Sequence, residues 1–209
     1  MPAEKKPDLS LFLDILQTLE RINVPYMVIG AFAATVYGIT RVTYDIDIIV
    51  DLSEEHINAL SDAYPLPRYY ADPVMIRNSI DMGVMFNIID TDRGEKADLV
   101  PLSGTLDYRP AFGRRVRQLV EIPGAEPFEI WCARPEDIIH GKLLAWKDGR
   151  SHKHETDIFE MMVHHFLGEL ENGGLDEKLI DEIAQSLGEE TNQFWQKIKS
   201  DAKKDANKE

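Results

Sequence analysis

The sequence predicts an α+β fold, a mixed sheet flanked by helices and followed by a C-terminal helical portion. Three observations predict it. Short apolar runs rich in β-branched residues recur through the first two thirds of the chain, at 26–29, 43–51, 84–89 and 97–101. Segments with helical spacing alternate with them. After Ala133 every periodic segment is helical.

In order, Leu11, Ile15, Leu16, Leu19 and Ile22 predict an amphipathic helix over 10–23, with Asp8 or Ser10 as its cap. Pro25 ends that pattern, and 26–29 reads as a buried strand. Gly30 follows, then a short helix over 31–37 closed by Gly38. Ile46, Ile48 and Val50 alternate with Asp45 and Asp47, which predicts a strand over 43–51. Ser53 opens a helix to about residue 64. The three prolines of 65–79 predict irregular structure. Strands at 84–89 and 97–101 flank the turn Asp90-Thr91-Asp92-Arg93-Gly94. Residues 103–113 read as a loop, and strands follow at 116–122 and 128–132. Pro135, Glu136 and Asp137 mark a helix start, with the helix running to Lys147. Helices are expected over 153–167, 175–187 and 189–200. The expected organisation is a core of residues 1–133, a helical portion of 134–200 packed on it, and a frayed tail of 201–209.

The 209 residues suit one domain or one domain with a helical appendage. A net charge of −14 argues against whole-chain affinity for nucleic acid or anionic membranes. The lone cysteine, Cys132, excludes an intrachain disulfide and reads as a small buried hydrophobe. No apolar run reaches the ~20 residues of a membrane helix, and no secretory leader is evident. A cytoplasmic protein with no membrane partner is expected.

The chemistry lies in Gly30-Ala31 followed, after thirteen residues, by Asp45-Ile46-Asp47. Strand positions two apart share a face, so Asp45 and Asp47 project together. Two carboxylates on one face suit a hard divalent cation. A glycine between strand and helix lets a phosphate approach backbone N–H groups. Asp98 lies on a later strand; if that strand pairs beside 45–50, Asp98 reaches the same cations. Three carboxylates hold two metals ~3.5–4 Å apart. Taken singly, an Asp-x-Asp at a strand edge is most often solvated and such a glycine is a turn residue. The combination is more specific than its parts.

The segment from Tyr26 to Val50 resembles the core motif of the DNA polymerase β-type nucleotidyltransferase superfamily, and within it the minimal, AbiEii-like nucleotidyltransferases. These carry a strand, Gly-Gly or Gly-Ser, a small helix, a glycine, then Arg-x-Thr-x-Asp-hydrophobic-Asp. Residues 134–145, with Arg150, Lys153 and Asp157-Ile158, also fit that group, so the resemblance spans roughly 9–165. It implies the nucleotidyltransferase fold, Mg²⁺ in a two-ion site, and transfer of a nucleoside monophosphate from an NTP to a hydroxyl. Asp45, Asp47 and Asp98 would be the catalytic and metal-binding acids. Gly30, Ala31, Arg41, Thr43 and Lys142 would contact the nucleotide. The chain departs from the pattern at Ala31, which carries no hydroxyl, and at His154, where the group has an acid. The acceptor is an RNA or tRNA, as for toxin-like relatives, or a small molecule such as an aminoglycoside. The negative charge favours a cationic small molecule. The alternative is a catalytically weak nucleotide-binding or interaction module, one half of a toxin–antitoxin pair with an antitoxin-like protein partner.

Other features carry plainer readings. Arg41 is as well explained by pairing with a nearby acid such as Asp45 as by phosphate contact; the plainer reading of Lys142 is snorkelling from an apolar helix, and the resemblance tips it toward nucleotide contact. Arg109, Arg114, Arg115 and Arg117 form a basic run that reads more simply as strand-edge charge than as a nucleic-acid patch. His140, His152, His154, His164 and His165 lack cysteine partners or a His-Glu-x-x-His pattern, which disfavours zinc. Trp131 and Trp146 read as core residues.

Overall fold

The computed structural model describes residues 9–39, 45–105, 108–121, 126–170 and 174–208. The chain forms two compact units, Met1–Phe32 with Val42–Cys132, and Ala33–Arg41 with Ala133–Glu209.

The first unit is built on a sheet that holds seven strands among the described residues. These are β1 (Tyr26–Ile29), β2 (Asp47–Val50), β3 (Tyr69–Tyr70), β4 (Phe86–Asp90), β5 (Glu95–Pro101), β6 (Val116–Val120) and β7 (Phe128–Cys132). Their spatial order is β3-β4-β5-β2-β1-β7-β6. The sheet is mixed. β2 runs antiparallel to β1 and parallel to β5, and β7 runs parallel to β1. The centre is apolar because β1 and β2 are covered on both faces: Met27, Val28, Ile48 and Ile49 are fully buried. A strand buried on both faces reads as a continuous apolar run, and 48–50 is one.

Four helices among the described residues lie wholly in this unit: α1 (Ser10–Arg21), α3 (Glu54–Ala63), α4 (Pro73–Met82) and α5 (Arg109–Gly113). α1 buries Leu11, Ile15, Leu16 and Leu19, as their spacing predicts, with Phe12 beside them, while Ile22 holds the C-cap position and is half-buried. Ser10 does not cap it; Leu9 holds the cap position without a side-chain bond, and Ser10 pairs with Arg93 instead. Asp8 lies outside the described residues. α3 is closed by a capping box in which Ser53 Oγ accepts from the His56 N–H at 3.4 Å and His56 Nδ1 accepts from the Ser53 N–H.

The stretch 65–79 is not irregular. It holds β3 and most of α4. The start signal was present: Asp72 Oδ1 accepts from the N–H groups of Val74 and Met75, with Pro73 in the first turn, and Gly83 closes the helix at φ +65°. Residues 103–113 likewise hold a 3₁₀ turn (Leu102–Gly104) and α5 rather than one loop.

α2 (Gly30–Thr35) leaves β1 and passes from the first unit to the second. The second unit also holds α6 (Pro135–Gly149), α7 (His152–Leu167), α8 (Glu177–Ser186) and α9 (Glu189–Ala206). Residues 33–39 join it through contacts made far along the chain. The Tyr37 hydroxyl donates to the Ala133 carbonyl at 2.9 Å. Gly38, at φ +94°, lies against the His164 ring, where a Cβ would stand 2.8 Å from Cδ2. α9 runs on to Ala206, past the point where composition predicted fraying, because Ile198 and Ala202 are buried and ion pairs such as Lys197–Asp201 brace its exposed face. Trp146 stacks on Phe194 with ring centroids 3.6 Å apart, and Arg150 covers the Trp146 ring at 4.2 Å.

Among the described residues, no helix is long and apolar enough to cross a membrane.

Candidate active site

The site is built at the start of β2. Asp47 is the register partner of Asp98 in the parallel β2–β5 ladder, and Asp98 is the register partner of Asn87 in the antiparallel β4–β5 ladder. Residues opposite one another in a ladder share a face, so Asn87, Asp98 and Asp47 form a row across three strands. The Asp98 N–H donates to the Ile46 carbonyl at 3.0 Å, which carries the ladder one residue before β2. Ile46 and Ile48 are fully buried while Asp45 is exposed and Asp47 half-buried. Of the strand expected over 43–51, β2 covers Asp47–Val50, so Asp45 precedes it, with the alternation of burial running on through Asp45 and Ile46.

On the other side, Asp47 pairs with Ile29, and Gly30 follows at φ +70°. A Cβ placed on Gly30 would stand 2.2 Å from Asp47 Oδ2. The glycine is required twice, for its left-handed backbone and for the carboxylate that occupies its side-chain space. Ala31 comes next, on a helix of only six residues.

Lys96 brings a positive charge to this acidic face. Lys96 lies two residues before Asp98 on β5, and its Nζ donates to both Asp98 oxygens at 2.8 Å. The lysine pKa is raised above its ordinary value, first by that hydrogen bond, with partial burial opposing and the charges of Asp98, Asp45 and Asp47 adding to it. The Asn87 amide also donates to Asp98 Oδ1. Among the described residues, no three His, Cys, Asp or Glu side chains stand arranged to hold a metal ion. Asp98 is instead bonded to Lys96 and Asn87.

Arg41 and Thr43 lie outside the described residues. Lys142 belongs to the second unit, on α6. It is no snorkelling surface lysine: it is 5% exposed, and its Nζ lies 2.5 Å from Asp157, itself 0% exposed, on α7. Two residues of the second sequence motif thus meet as a buried ion pair.

The basic run is partly absorbed by internal contacts. Arg115 covers the rings of Phe112 and Trp131 at 4.2 and 4.9 Å. Arg117 lies over Trp131 and pairs with Glu20 and Glu129. The late histidines do not converge: His152, His164 and His165 pair with Glu155, Glu169 and Glu177 respectively. Cys132 is buried in β7, as its apolar context suggested.

Solved structures that resemble the chain include nucleotidyltransferases and nucleotidyltransferase-like proteins. The antibiotic-resistance factor ANT(2'')-Ia matches with a TM-score of 0.48 and 14% identity, over 85% of this chain and 89% of that one. An antigenic nucleotidyltransferase-like protein from Paracoccidioides brasiliensis matches at 0.43 and 19% identity, over 74% and 75%. The lincosamide antibiotic adenylyltransferase LnuA, solved with lincomycin bound, matches at 0.39 and 15% identity, over 75% and 98%. These are likenesses of chain path alone. No family model and no curated protein matches the sequence.

Sequence reasoning missed Lys96 and Asn87. For Lys96 the signal was available, since position 96 shares a strand face with 98. For Asn87 it was not, because its place opposite Asp98 depends on the β4–β5 register.

Proposed function

We propose that the chain is a Mg²⁺-dependent nucleotidyltransferase of the minimal, AbiEii-like kind. It transfers a nucleoside monophosphate from an NTP to an acceptor hydroxyl and releases pyrophosphate. The observation that carries this reading is the register pairing of Asp47 with Asp98, with Asp45 two residues before Asp47. Carboxylate oxygens are the donor type a hard divalent cation takes, although no three such side chains among the described residues stand arranged to hold one.

In this reading Asp45, Asp47 and Asp98 would hold the metal ions, and Gly30 and Ala31 would leave backbone room for the phosphates. When bound, the ions supply charge neutralisation on the triphosphate and a lowered pKa at the acceptor hydroxyl. The acceptor oxygen forms a bond to the α-phosphorus as the bond to the β-phosphate oxygen breaks. Asp98 takes the hydroxyl proton, and pyrophosphate carries away the bonding electron pair. The chain contributes positioning and electrostatics rather than a covalent intermediate. A net charge of −14 favours a cationic, hydroxyl-bearing small molecule over a long RNA as acceptor.

The test is incubation with each α-labelled NTP, Mg²⁺ and either total RNA or a panel of polyhydroxylated amines. Metal-dependent labelling of an acceptor, lost in Asp45→Asn and Asp47→Asn, supports the assignment. Labelling at the parental rate in those variants refutes it. Ala31, which offers a phosphate no hydroxyl, motivates the second reading, a nucleotide-binding module without transfer. NTP binding by calorimetry with no labelled acceptor would be its signature.

A further inference from the structure

The two oxygens of Asp98 are not equivalent. An ionised carboxylate offers about two lone-pair sites on each oxygen. Among the described residues, Oδ1 accepts from the Asn87 amide and from Lys96 Nζ, while Oδ2 accepts from Lys96 alone. The open acceptor site of this buried carboxylate therefore lies on Oδ2. The two donors also differ in what they fix. Lys96 reaches Asp98 from two residues away on the same strand, and its side chain is 45% exposed on a flexible four-carbon stem. Asn87 is short and stands directly opposite Asp98 in the β4–β5 ladder. Its neighbours Phe86 and Ile88 are buried, which holds the alternation of β4 and keeps Asn87 on the Asp98 face. The asparagine amide, not the ammonium, fixes which way the carboxylate is turned.

We propose that Asn87 is a positioning residue for Asp98: by holding Oδ1, it presents Oδ2 as the oxygen that takes the acceptor's proton. The inference rests on the nucleotidyltransferase reading of the same site. In the transfer step the acceptor O–H bond breaks and its proton passes to Oδ2. The electron pair of that bond forms the new bond to the α-phosphorus, and pyrophosphate leaves with the pair of the bond that breaks. Asn87 touches neither substrate in this step. Its loss lets the carboxylate turn, which misplaces the proton acceptor and leaves nucleotide binding as it was.

The experiment has two arms, both on the full chain. The first needs no substrate: the side-chain amide protons of Asn87 are followed by ¹⁵N-resolved NMR. One of them should lie downfield in wild type and return to the ordinary position in Asp98→Ala. An Asn87 amide that Asp98→Ala leaves unmoved would overturn the positioning role. The second arm is steady-state transfer from each α-labelled NTP to the panel of polyhydroxylated amines and to total RNA, comparing wild type with Asn87→Leu, Asn87→Asp and Asn87→Gln. Asn87→Asp keeps the shape of the side chain without its donor and guards against a leucine variant that does not fold. The expected result is kcat about 10²-fold lower in Asn87→Leu and Asn87→Asp, the order expected for a proton acceptor misplaced by about 1 Å, with the NTP KM unchanged. Asn87→Gln, which keeps the amide, should recover part of the loss. Wild-type kcat in both donor-less variants, or a loss that appears in KM instead, would overturn the positioning role while the nucleotidyltransferase reading stands. No transfer by wild type from any NTP to either acceptor class would overturn that reading, and this inference with it.

Discussion

The Asp47 carboxylate occupies the space where a side chain at position 30 would begin, with Oδ2 2.2 Å from the Cβ that Gly30 lacks. Substitution therefore acts on the site and on stability together. Gly30→Ala adds a left-handed penalty of ~1–2 kcal/mol and forces Asp47 to move. The expected outcome is a denaturation midpoint lowered accordingly and loss of nucleotide transfer. Retention of full transfer would show that Asp47 need not hold its observed place.

Asp47→Asn and Asp98→Asn should both abolish transfer, but they should differ in stability. Asp98 carries the Lys96 ion pair and the Asn87 bond, so its neutralisation removes native interactions. Asp45→Asn relieves like-charge repulsion and should be neutral or slightly stabilising. Thermal melts of the single variants, in metal-free buffer, check the order.

The buried Lys142–Asp157 pair separates a structural from a nucleotide-contacting role. Removing either partner strands a charge in the second unit and should cost ~3–5 kcal/mol. The double variant Lys142→Met/Asp157→Leu should recover most of that loss, which denaturant unfolding would read. If the refolded double variant also binds NTP as wild type does, Lys142 has no part in phosphate recognition.

Asp90 gives a pH prediction. Burial pushes its carboxyl pKa up, but hydrogen bonds from Arg68 and from the backbone N–H groups of Asp92 and Arg93 outweigh it, and the net direction is down. A folded-state pKa below the unfolded value, ~3.9, gives stability that is present above that value and lost as pH falls through the folded pKa. Asp90→Asn should thus be less stable than wild type at neutral pH, with the difference shrinking below about pH 4. Urea midpoints of the two proteins across that range provide the check.

Much of this was legible in the sequence where the physics is local. The alternation of Asp45, Ile46, Asp47 and Ile48 announced a strand with two acids on one face, and the structure buries both isoleucines fully. The helix-start signals at Ser53 and Pro135 led to α3 and α6. The missed helix α4 was also local in origin. Its Asp72-Pro73 start and Gly83 stop were in the sequence, but nearby prolines were weighed as breakers when one of them was a first-turn residue.

Other features had no local signal. Asp98 meets Asp47 through a register set between strands 51 residues apart in the chain, and a slip of one residue would have turned Asp98 to the opposite face. Tyr37 and Gly38 join the second unit because of Ala133 and His164, which their own neighbours do not foretell. Lys142 looks like a surface lysine until α7 supplies Asp157.

By itself, then, the sequence determined the succession of strands and helices, the acidic face of β2 and the glycine beside it, because side-chain period and backbone preference act between near neighbours. Tertiary structure alone decided that Asp98 completes that face and that Lys142 is buried against Asp157. Each of those outcomes depends on strand register or helix packing between distant segments, where burial of apolar surface, not local preference, selects the partner.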